Sequence, residues 1–344
     1  MKLPSATAFA LLIATVVALA AACSSGKTAP DPNAVPPGTQ YTLSIGPITV
    51  QPGEERTQCL VLPLGNPGPI HVNTIHNTLT PGSHHMIVYR SAETVEQTTP
   101  FDCQPFTDTL DPSKGSTLMV TQKRDDVLTL PSGVGFALDA NQMIRLELHY
   151  INPGAQPIQV TATTTLTTMD ERQFQSAADF LFIGDPDITL PPNAKTTLGP
   201  IFFQLPSEYA GVNFFAITGH EHQLGTDVKV AVASNANDPG TPVYDVPGWL
   251  WSEPTTVVAN PPFTVPQNGG FRFTCDWNNT TTNTVKFGES ANDEMCFFWA
   301  YYYPSQGSRV CLHSDRYNGG IDICCPGSNI ICSIIQSKLQ DAGG

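Results

Sequence analysis

Proline and glycine interrupt this chain before any long regular element can form. Thirty-one prolines and twenty-seven glycines are spread over 344 residues. Between them lie short runs rich in Val, Ile, Thr and aromatic side chains, such as Cys59–Leu64, Met86–Tyr89, Met143–Tyr150, Ile158–Leu166, Asp227–Ala233 and Phe271–Trp277. Runs of this length and composition, bounded by turn residues, read as strands. Many short strands joined by turns describe an all-β sandwich or barrel, not a βαβ fold. The one helix the pattern allows is short, over Ser333–Asp341, and no internal repeat is evident.

The first residues read as an export signal. Lys2 supplies the positive start, and the apolar run Ala8–Ala22 is too short to span a bilayer. It ends in Leu19-Ala20-Ala21-Ala22-Cys23, which looks like a bacterial lipobox with Cys23 as the lipidated residue; an ordinary signal peptide cut nearby is the simpler alternative. Ser24, where an aspartate would retain the protein, points to an outer membrane, and the Pro-rich stretch to Gly38 suits a disordered tether. Removing 22 residues from 344 leaves 322, about two domains' worth of chain. The charged stretch Thr168–Asp187, followed by Pro191-Pro192, sets the boundary. The expected divisions are a signal over residues 1–22, a tether over 23–40, domains over 41–172 and 173–309, and a Cys-rich extension over 310–344. The formal charge of −14 excludes a nucleic-acid partner, whose phosphates need a basic face. Nothing after Ala22 is apolar for long enough to cross a membrane, so attachment would rest on the lipid alone. Of nine cysteines, setting Cys23 aside leaves an even number, which in an exported chain indicates disulfides in an oxidising compartment.

The residues that can carry chemistry are histidines. In His220-Glu221-His222, alternate residues of a strand share a face, so the two imidazoles can hold one ion. His84-His85 is harder, because neighbours on a regular strand point to opposite faces; both reach one ion only if the backbone departs from regular pleating or different ring nitrogens are used. His149 lies in Arg145-Leu146-Glu147-Leu148-His149-Tyr150, where the leucines take the core face and leave Arg145, Glu147 and His149 on the polar one. Glu147 is there a candidate to orient a ligand imidazole, or a partner for Arg145. His71, His76 and His313 read as surface or hydrogen-bonded structural residues. Asp293-Glu294-Met295-Cys296 precedes an aromatic strand, Phe297–Tyr303. Methionine is usually packing, but a thioether beside two imidazoles suits copper, especially Cu(I), far better than zinc. Asn278-Asn279-Thr280-Thr281 fits a glycosylation sequon but reads as a polar turn.

Taken in order, Ser83-His84-His85-Met86-Ile87-Val88-Tyr89, Leu148-His149-Tyr150-Ile151-Asn152-Pro153, Gly219-His220-Glu221-His222-Gln223-Leu224-Gly225 and Asn292-Asp293-Glu294-Met295-Cys296 resemble the copper type II, ascorbate-dependent monooxygenases. This is the family of dopamine beta-monooxygenase and peptidylglycine alpha-hydroxylating monooxygenase. The likeness spans roughly residues 42 to 304. It implies two jelly-roll-like antiparallel β-sandwich domains facing each other across a solvated cleft, followed by the small disulfide-rich extension. It assigns His84, His85 and His149 to an electron-transfer copper, and His220, His222 and Met295 to a separate, oxygen-binding, catalytic copper. It pairs Cys59 with Cys103 and Cys275 with Cys296. Cys311, Cys324, Cys325 and Cys332 remain; adjacent 324 and 325 are expected to pair with 311 or 332, in an extension that covers an edge.

The activity so implied is hydroxylation of an unactivated C–H bond by molecular oxygen, with electrons from ascorbate or another one-electron reductant. The expected partners are a small molecule and oxygen, with the chain a monomer. Peptide-hydroxylating members anchor a carboxylate with an arginine where this chain has Thr218, and use a tyrosine where it has Trp299. Without those groups a glycine-extended peptide loses its clamp, and Phe297 and Trp299 suggest an apolar or aromatic substrate. The rival expectations are a non-catalytic copper-binding lipoprotein on the same scaffold and an adhesive β-sandwich with incidental histidines.

Overall fold

The computed structural model describes residues 34–103, 114–316 and 320–325. The expected signal, Cys23, most of the tether, Cys332 and the short helix at Ser333–Asp341 lie outside these residues. Within them the chain is β apart from two single turns of 3₁₀ helix, Glu171–Gln173 and Ser207–Tyr209.

The strand Ile158–Thr168 shows how the residues choose this form. Val160, Ala162, Thr164, Leu166 and Thr168 are buried, while the intervening side chains, mostly threonine, are at least partly exposed. The period of two and the β-branched outer face are what a half-buried strand requires. It pairs with Gln40–Val50 and Ile70–Leu79 in a sheet completed by Asp125–Thr129, Val134–Leu138 and Ser176–Ala177. A second sheet runs in the order Gln97–Asp102, Glu55–Pro63, Met143–Ile151, Ser83–Ser91, Ser116–Thr121. Ile45, Val72, Val88, Leu146 and Leu148 fill the core shared by these sheets.

Past Ala177 the chain builds another pair of sheets. One runs Val257–Thr264, Asn213–His220, Phe297–Tyr303, Asp179–Gly184, Arg309–Ser314, Ile321–Cys325; the other runs Ala194–Gln204, Gly270–Asn279, Gly225–Ala233, Thr241–Asp245. Thr189–Leu190 and Val285–Lys286 form a separate short ladder. The fold is thus an all-β sandwich architecture. Among the described residues its pairings are antiparallel except where Ser176–Ala177 runs parallel to Val134–Gly135 and Leu181–Gly184 to Arg309–Leu312, and at the single parallel bridge between Phe287 and Glu294.

The aromatic strand departs from the expected solvated cleft. Phe298, Ala300 and Tyr302 pack into the second core with Phe214 and Phe271. Trp299 and Tyr301, on the opposite face, join the first core with Phe180, Phe215 and the residues of the first sandwich. The sheet is therefore buried on both faces, which is why Phe297–Tyr303 reads as an unbroken hydrophobic run instead of alternating. The meeting of the two sandwiches is dry here, and the cleft reading is corrected accordingly.

The expected disulfides Cys59–Cys103 and Cys275–Cys296 are present, and Cys311 pairs with Cys324. Cys325 is disulfide-bonded as well. Arg309–Ser314 and Ile321–Cys325 cover the edge that Asp179–Gly184 would otherwise leave open. The end of the tether is tied down: Gly38 N–H donates to Thr168 O at 2.9 Å, and Thr168 Oγ1 donates to Pro36 O at 2.9 Å. Asn279 is 1% exposed and its amide donates to Leu190 O, Pro191 O and Asn283 O, so it is a structural turn residue and no glycan acceptor. The bonds suit an oxidising, extracytoplasmic compartment. Among the described residues no helix is long and apolar enough to cross a membrane.

Gly219 sets the approach of the second pair of sheets. A Cβ there would lie 2.7 Å from Val228 Cβ and 2.8 Å from Tyr244 Cε1 on the facing sheet. Gly219→Ala is expected to lower stability by about 1–3 kcal/mol through overpacking, measured as a shift in the denaturant midpoint at unchanged slope.

Candidate metal centre

The strand Ser83–Ser91 carries His84 and His85, and its register explains how both rings can reach one point. Ser83 pairs with Tyr150 and His85 with His149, a shift that leaves His84 without an opposite residue. Two residues facing one is the pattern of a β-bulge, which bends the strand and turns an extra side chain toward its neighbour's face. The required departure from regular pleating is present. The ring centroids of His84 and His85 lie 5.2 Å apart, those of His84 and His149 5.0 Å, and those of His85 and His149 4.9 Å. One ring nitrogen from each falls within 4.8 Å of the others.

In the second set, Asn213–His220 ends at its first histidine and His222 lies just beyond the strand. The rings are 5.2 Å apart. His220 pairs with Phe297 of the aromatic strand, and continuing that antiparallel line brings residue 222 alongside residue 295. Met295 is held from both sides. Cys296 is bonded to Cys275. The carboxylate of Glu294 accepts from the backbone N–H of His222 at 3.0 Å and of Leu224 at 2.7 Å, and from Trp277 Nε1 at 2.9 Å. Met295 also packs against Phe297, Val310 and Leu312, so it is a packing residue that faces the site.

The two sets are not separated. The rings of His84 and His222 lie 5.9 Å apart, and His85, His220, His222 and Met295 line one cavity of about 50 Å³. The expectation of two distant sites is therefore corrected: because the aromatic sheet is buried against the first sandwich, the histidines at its end meet those of that sandwich. Ile87, Val120, Phe180, Phe182 and Trp299 supply the cavity's apolar walls, with Thr117, Gln122 and Glu289 the remaining lining.

Hydrogen bonds fix which nitrogen of each ring is available. Glu55 is held down to about 2, chiefly by its hydrogen bond from His149, and as a carboxylate it can only accept. His149 Nε2 therefore donates to Glu55 Oε1 at 2.9 Å, leaving Nδ1, which lies 3.3 Å from His85 Nε2. His220 Nδ1 donates to Gln122 Oε1 at 2.9 Å and His222 Nδ1 to Asp293 O at 3.1 Å, leaving both Nε2 atoms free. Burial drives His84, His85 and His220 well below the ordinary imidazole range and His222 to about 4. All four are neutral bases at neutral pH, the form that binds metal. Both nitrogens of His84 and Nδ1 of His85 are buried without a hydrogen-bond partner, a costly arrangement that a metal ion relieves. Imidazoles with one thioether form a donor set that fits copper.

Other residues fall differently. Arg145, Glu147 and His149, expected on a polar face, are all buried; Phe101 lies under the Arg145 guanidinium, whose Nε donates to Cys59 Sγ at 3.3 Å. Glu147 accepts from Tyr89 Oη at 2.9 Å, and the carboxylate on His149 belongs to Glu55 instead. Glu55 stands diagonally across the ladder from His149, which pairs with Thr57, and such diagonal neighbours are within reach of a long side chain. Trp299 lines the cavity, but Thr218 and Phe297 do not. Thr218 Oγ1 bonds Thr256 Oγ1 at 2.8 Å, and Phe297 stacks on Phe182 with centroids 4.8 Å apart. His71, His76 and His313 bind the carboxylates of Glu171, Asp125 and Asp322. Glu55, Gln122 and Trp251, whose ring lies 5.7 Å from His84, carried no motif that would have revealed them, and Glu294 lay within the Asn292–Cys296 motif without an assigned role.

The buried imidazoles set a pH dependence for the metal-free protein. A histidine whose folded pKa is lowered takes up its proton in the unfolded state first, so stability falls as pH drops below the unfolded value near 6.5. His222, lowered to about 4, contributes about 3 kcal/mol of that loss between pH 6.5 and 4. Denaturant midpoints measured across this range should fall steeply with acid, and less steeply in His222→Gln.

Residues 182–319 match the family model described as copper type II ascorbate-dependent monooxygenase, C-terminal domain. No curated protein matches the chain. Among solved structures, peptide N-glycosidase F, a glycosylasparaginase from Flavobacterium meningosepticum, aligns at 9% identity over 83% of this chain and 99% of its own, with a TM-score of 0.37. The major capsid protein P2 of bacteriophage PM2 aligns at 12% identity over 78% of this chain and 100% of its own, with a TM-score of 0.34. The matched span contains His220, His222 and Met295 and the Cys275–Cys296 bond that flanks them. Over residues 182–319 the chain is thus similar to the C-terminal domain of the copper type II ascorbate-dependent monooxygenases.

Proposed function

We propose that the protein is a copper-dependent monooxygenase that hydroxylates a C–H bond of a small apolar or aromatic molecule, using molecular oxygen and an ascorbate-like one-electron reductant. The observation that carries the reading is the convergence of His85, His220, His222 and Met295 on one aromatic-walled cavity within a chain that bears the family's C-terminal domain. In this reading His84, His85 and His149 hold one copper ion, and His220, His222 and Met295 hold the other. Bound copper supplies the one-electron redox chemistry with oxygen.

The chain's own residues supply position and exclusion. Gln122, Asp293 and Glu55 orient the imidazoles through their second nitrogens, the usual way ligand rings are aimed. Phe180, Phe182, Trp299 and Val120 shape an apolar space beside them that holds a C–H bond near the reacting centre. Among the described residues no lysine or arginine lines the cavity, so a substrate carboxylate would be buried unpaired at high cost. This supports an uncharged or apolar substrate over a glycine-extended peptide. The reading extends to an exported, monomeric protein anchored through a lipid on Cys23, with domains over 41–172 and 173–309.

Copper-loaded protein given ascorbate, oxygen and a panel of small aromatic and aliphatic molecules should yield products heavier by one oxygen atom. Copper uptake without any oxygen consumption across the panel would instead identify a copper-binding protein without catalysis.

Met295→Leu conserves volume and should cost less than about 1.5 kcal/mol of stability. It should abolish turnover and remove sulfur scattering from the copper X-ray absorption of the reduced protein. Turnover retained in the variant would make Met295 packing only.

A further inference from the structure

A thioether is a weak hydrogen-bond acceptor, so the place of the Met295 sulfur is set by the apolar atoms around it. Met295 forms a small core with Phe297 and with Val310, Leu312 and Cys325, and Ile323 packs on that core. Four of these residues belong to the C-terminal strand pair Arg309–Ser314 and Ile321–Cys325. Register explains how that pair reaches the methionine. Phe297, two residues past Met295, pairs with Gly184, Gly184 with Leu312, and Leu312 with Ile323. Residues opposite one another across a ladder share a face, so Leu312 and Ile323 continue the row that Phe297 begins. Gly184 leaves a gap in that row which the Phe297 ring occupies, since a Cβ at Gly184 would collide with it. The next row, Trp299, Phe182, Val310 and Cys325, runs from the cavity wall to the same strand pair. On the opposite face the bond between Cys311 and Cys324 fastens the two strands together within the second core. Residues 321–325 lie past the span 182–319 that matches the family model.

We propose that the C-terminal strand pair is a positioning element for Met295, with Leu312 and Ile323 as its positioning residues and Cys311–Cys324 as its fastening. The proposal rests on the copper reading, in which Met295 is a ligand, and adds to it a task for the disulfide-rich extension. An unbranched side chain with three rotatable bonds adapts to whatever space it is given. Donating from one fixed direction costs it rotamer freedom, and a dense apolar backing removes the competing rotamers before an ion arrives. The Cys275–Cys296 bond fixes the backbone beside Met295 but not the direction of its side chain. That direction is left to the strands behind it, and close packing passes their position on to the sulfur.

The test uses the full mature chain loaded with copper and reduced, with sulfur scattering per copper read by X-ray absorption and Cu(I) affinity by chelator competition. The unmodified protein should show sulfur on copper. Leu312→Ala opens space behind the thioether. It should diminish the sulfur scattering and weaken Cu(I) binding by the His220, His222 and Met295 set about 10-fold, as loss of support around a ligand does. Leu312→Ile conserves volume and should restore both. Joint replacement Cys311→Ala and Cys324→Ala, which adds no free thiol, should also diminish the scattering; it carries the test should Leu312→Ala fail to fold. Val230→Ala truncates a buried side chain of the second core on the strand Gly225–Ala233 and should leave the scattering whole, which separates positioning from a general loss of stability. Full sulfur scattering in either Leu312→Ala or the cysteine variant would overturn the proposal and leave the monooxygenase reading in place. So would an equal loss in Val230→Ala. Copper without sulfur in the unmodified protein would overturn Met295 as a ligand, and the proposal with it.

Discussion

Burial of the strand Phe297–Tyr303 on both of its faces is the constraint from which the site follows. Tyr302 and Phe298 belong to one core while Trp299 and Tyr301 belong to the other, so the strand cannot slide without moving side chains out of both. A one-residue slip would exchange the two sets and place every aromatic ring against the wrong partner. Register with Asn213–His220 is thereby pinned, and the pairing of His220 with Phe297 brings the His220–His222 segment alongside Met295. Fully burying each large ring contributes about 1.5–3 kcal/mol, which makes this strand a firm base for a site.

The electrostatics of the site run against folding, and the structure accommodates them locally. Both nitrogens of His84 and Nδ1 of His85 are buried with no protein partner to satisfy them. Glu294, pushed up to about 7 by burial despite three hydrogen bonds from N–H groups, is a second buried titratable group in the same wall. Polar atoms concentrated this way cost stability in the metal-free chain. Two disulfides bracket the region, one at Cys59–Cys103 beside the His149 strand and one at Cys275–Cys296 beside Met295, and they offset part of that cost.

The sequence made several of these features legible, and the reasons for success and failure are physical. Short β runs between prolines and glycines revealed the fold class, because strand length and turn chemistry are local properties. His84-His85 could be flagged as needing irregular backbone, and the bulge between Ser83 and His85 supplies it. The dry contact was not legible: an unbroken run such as Phe297–Tyr303 shows that both faces are apolar but not what covers the second one. The expected separation of the ligand sets failed for the same reason, since it depends on how two sandwiches meet. Glu55 and Gln122 were invisible because each acts from another strand or loop onto a ring distant in sequence. Thr218 was placed near substrate by analogy of position, yet its hydroxyl turns to Thr256; strand alternation decides which side such a residue serves.

The Cys275–Cys296 bond carries a consequence for the order in which the protein matures. Met295 precedes Cys296 directly, so the arm bearing the thioether is clamped to Gly270–Asn279 only once the two thiols have been oxidised. A chain still in a reducing compartment has its imidazoles but lacks the fixed sulfur donor, and its free thiols would compete for any soft metal ion they met. Under the proposed copper chemistry, oxidation of this pair would both remove the competing thiolates and fix the arm that bears Met295.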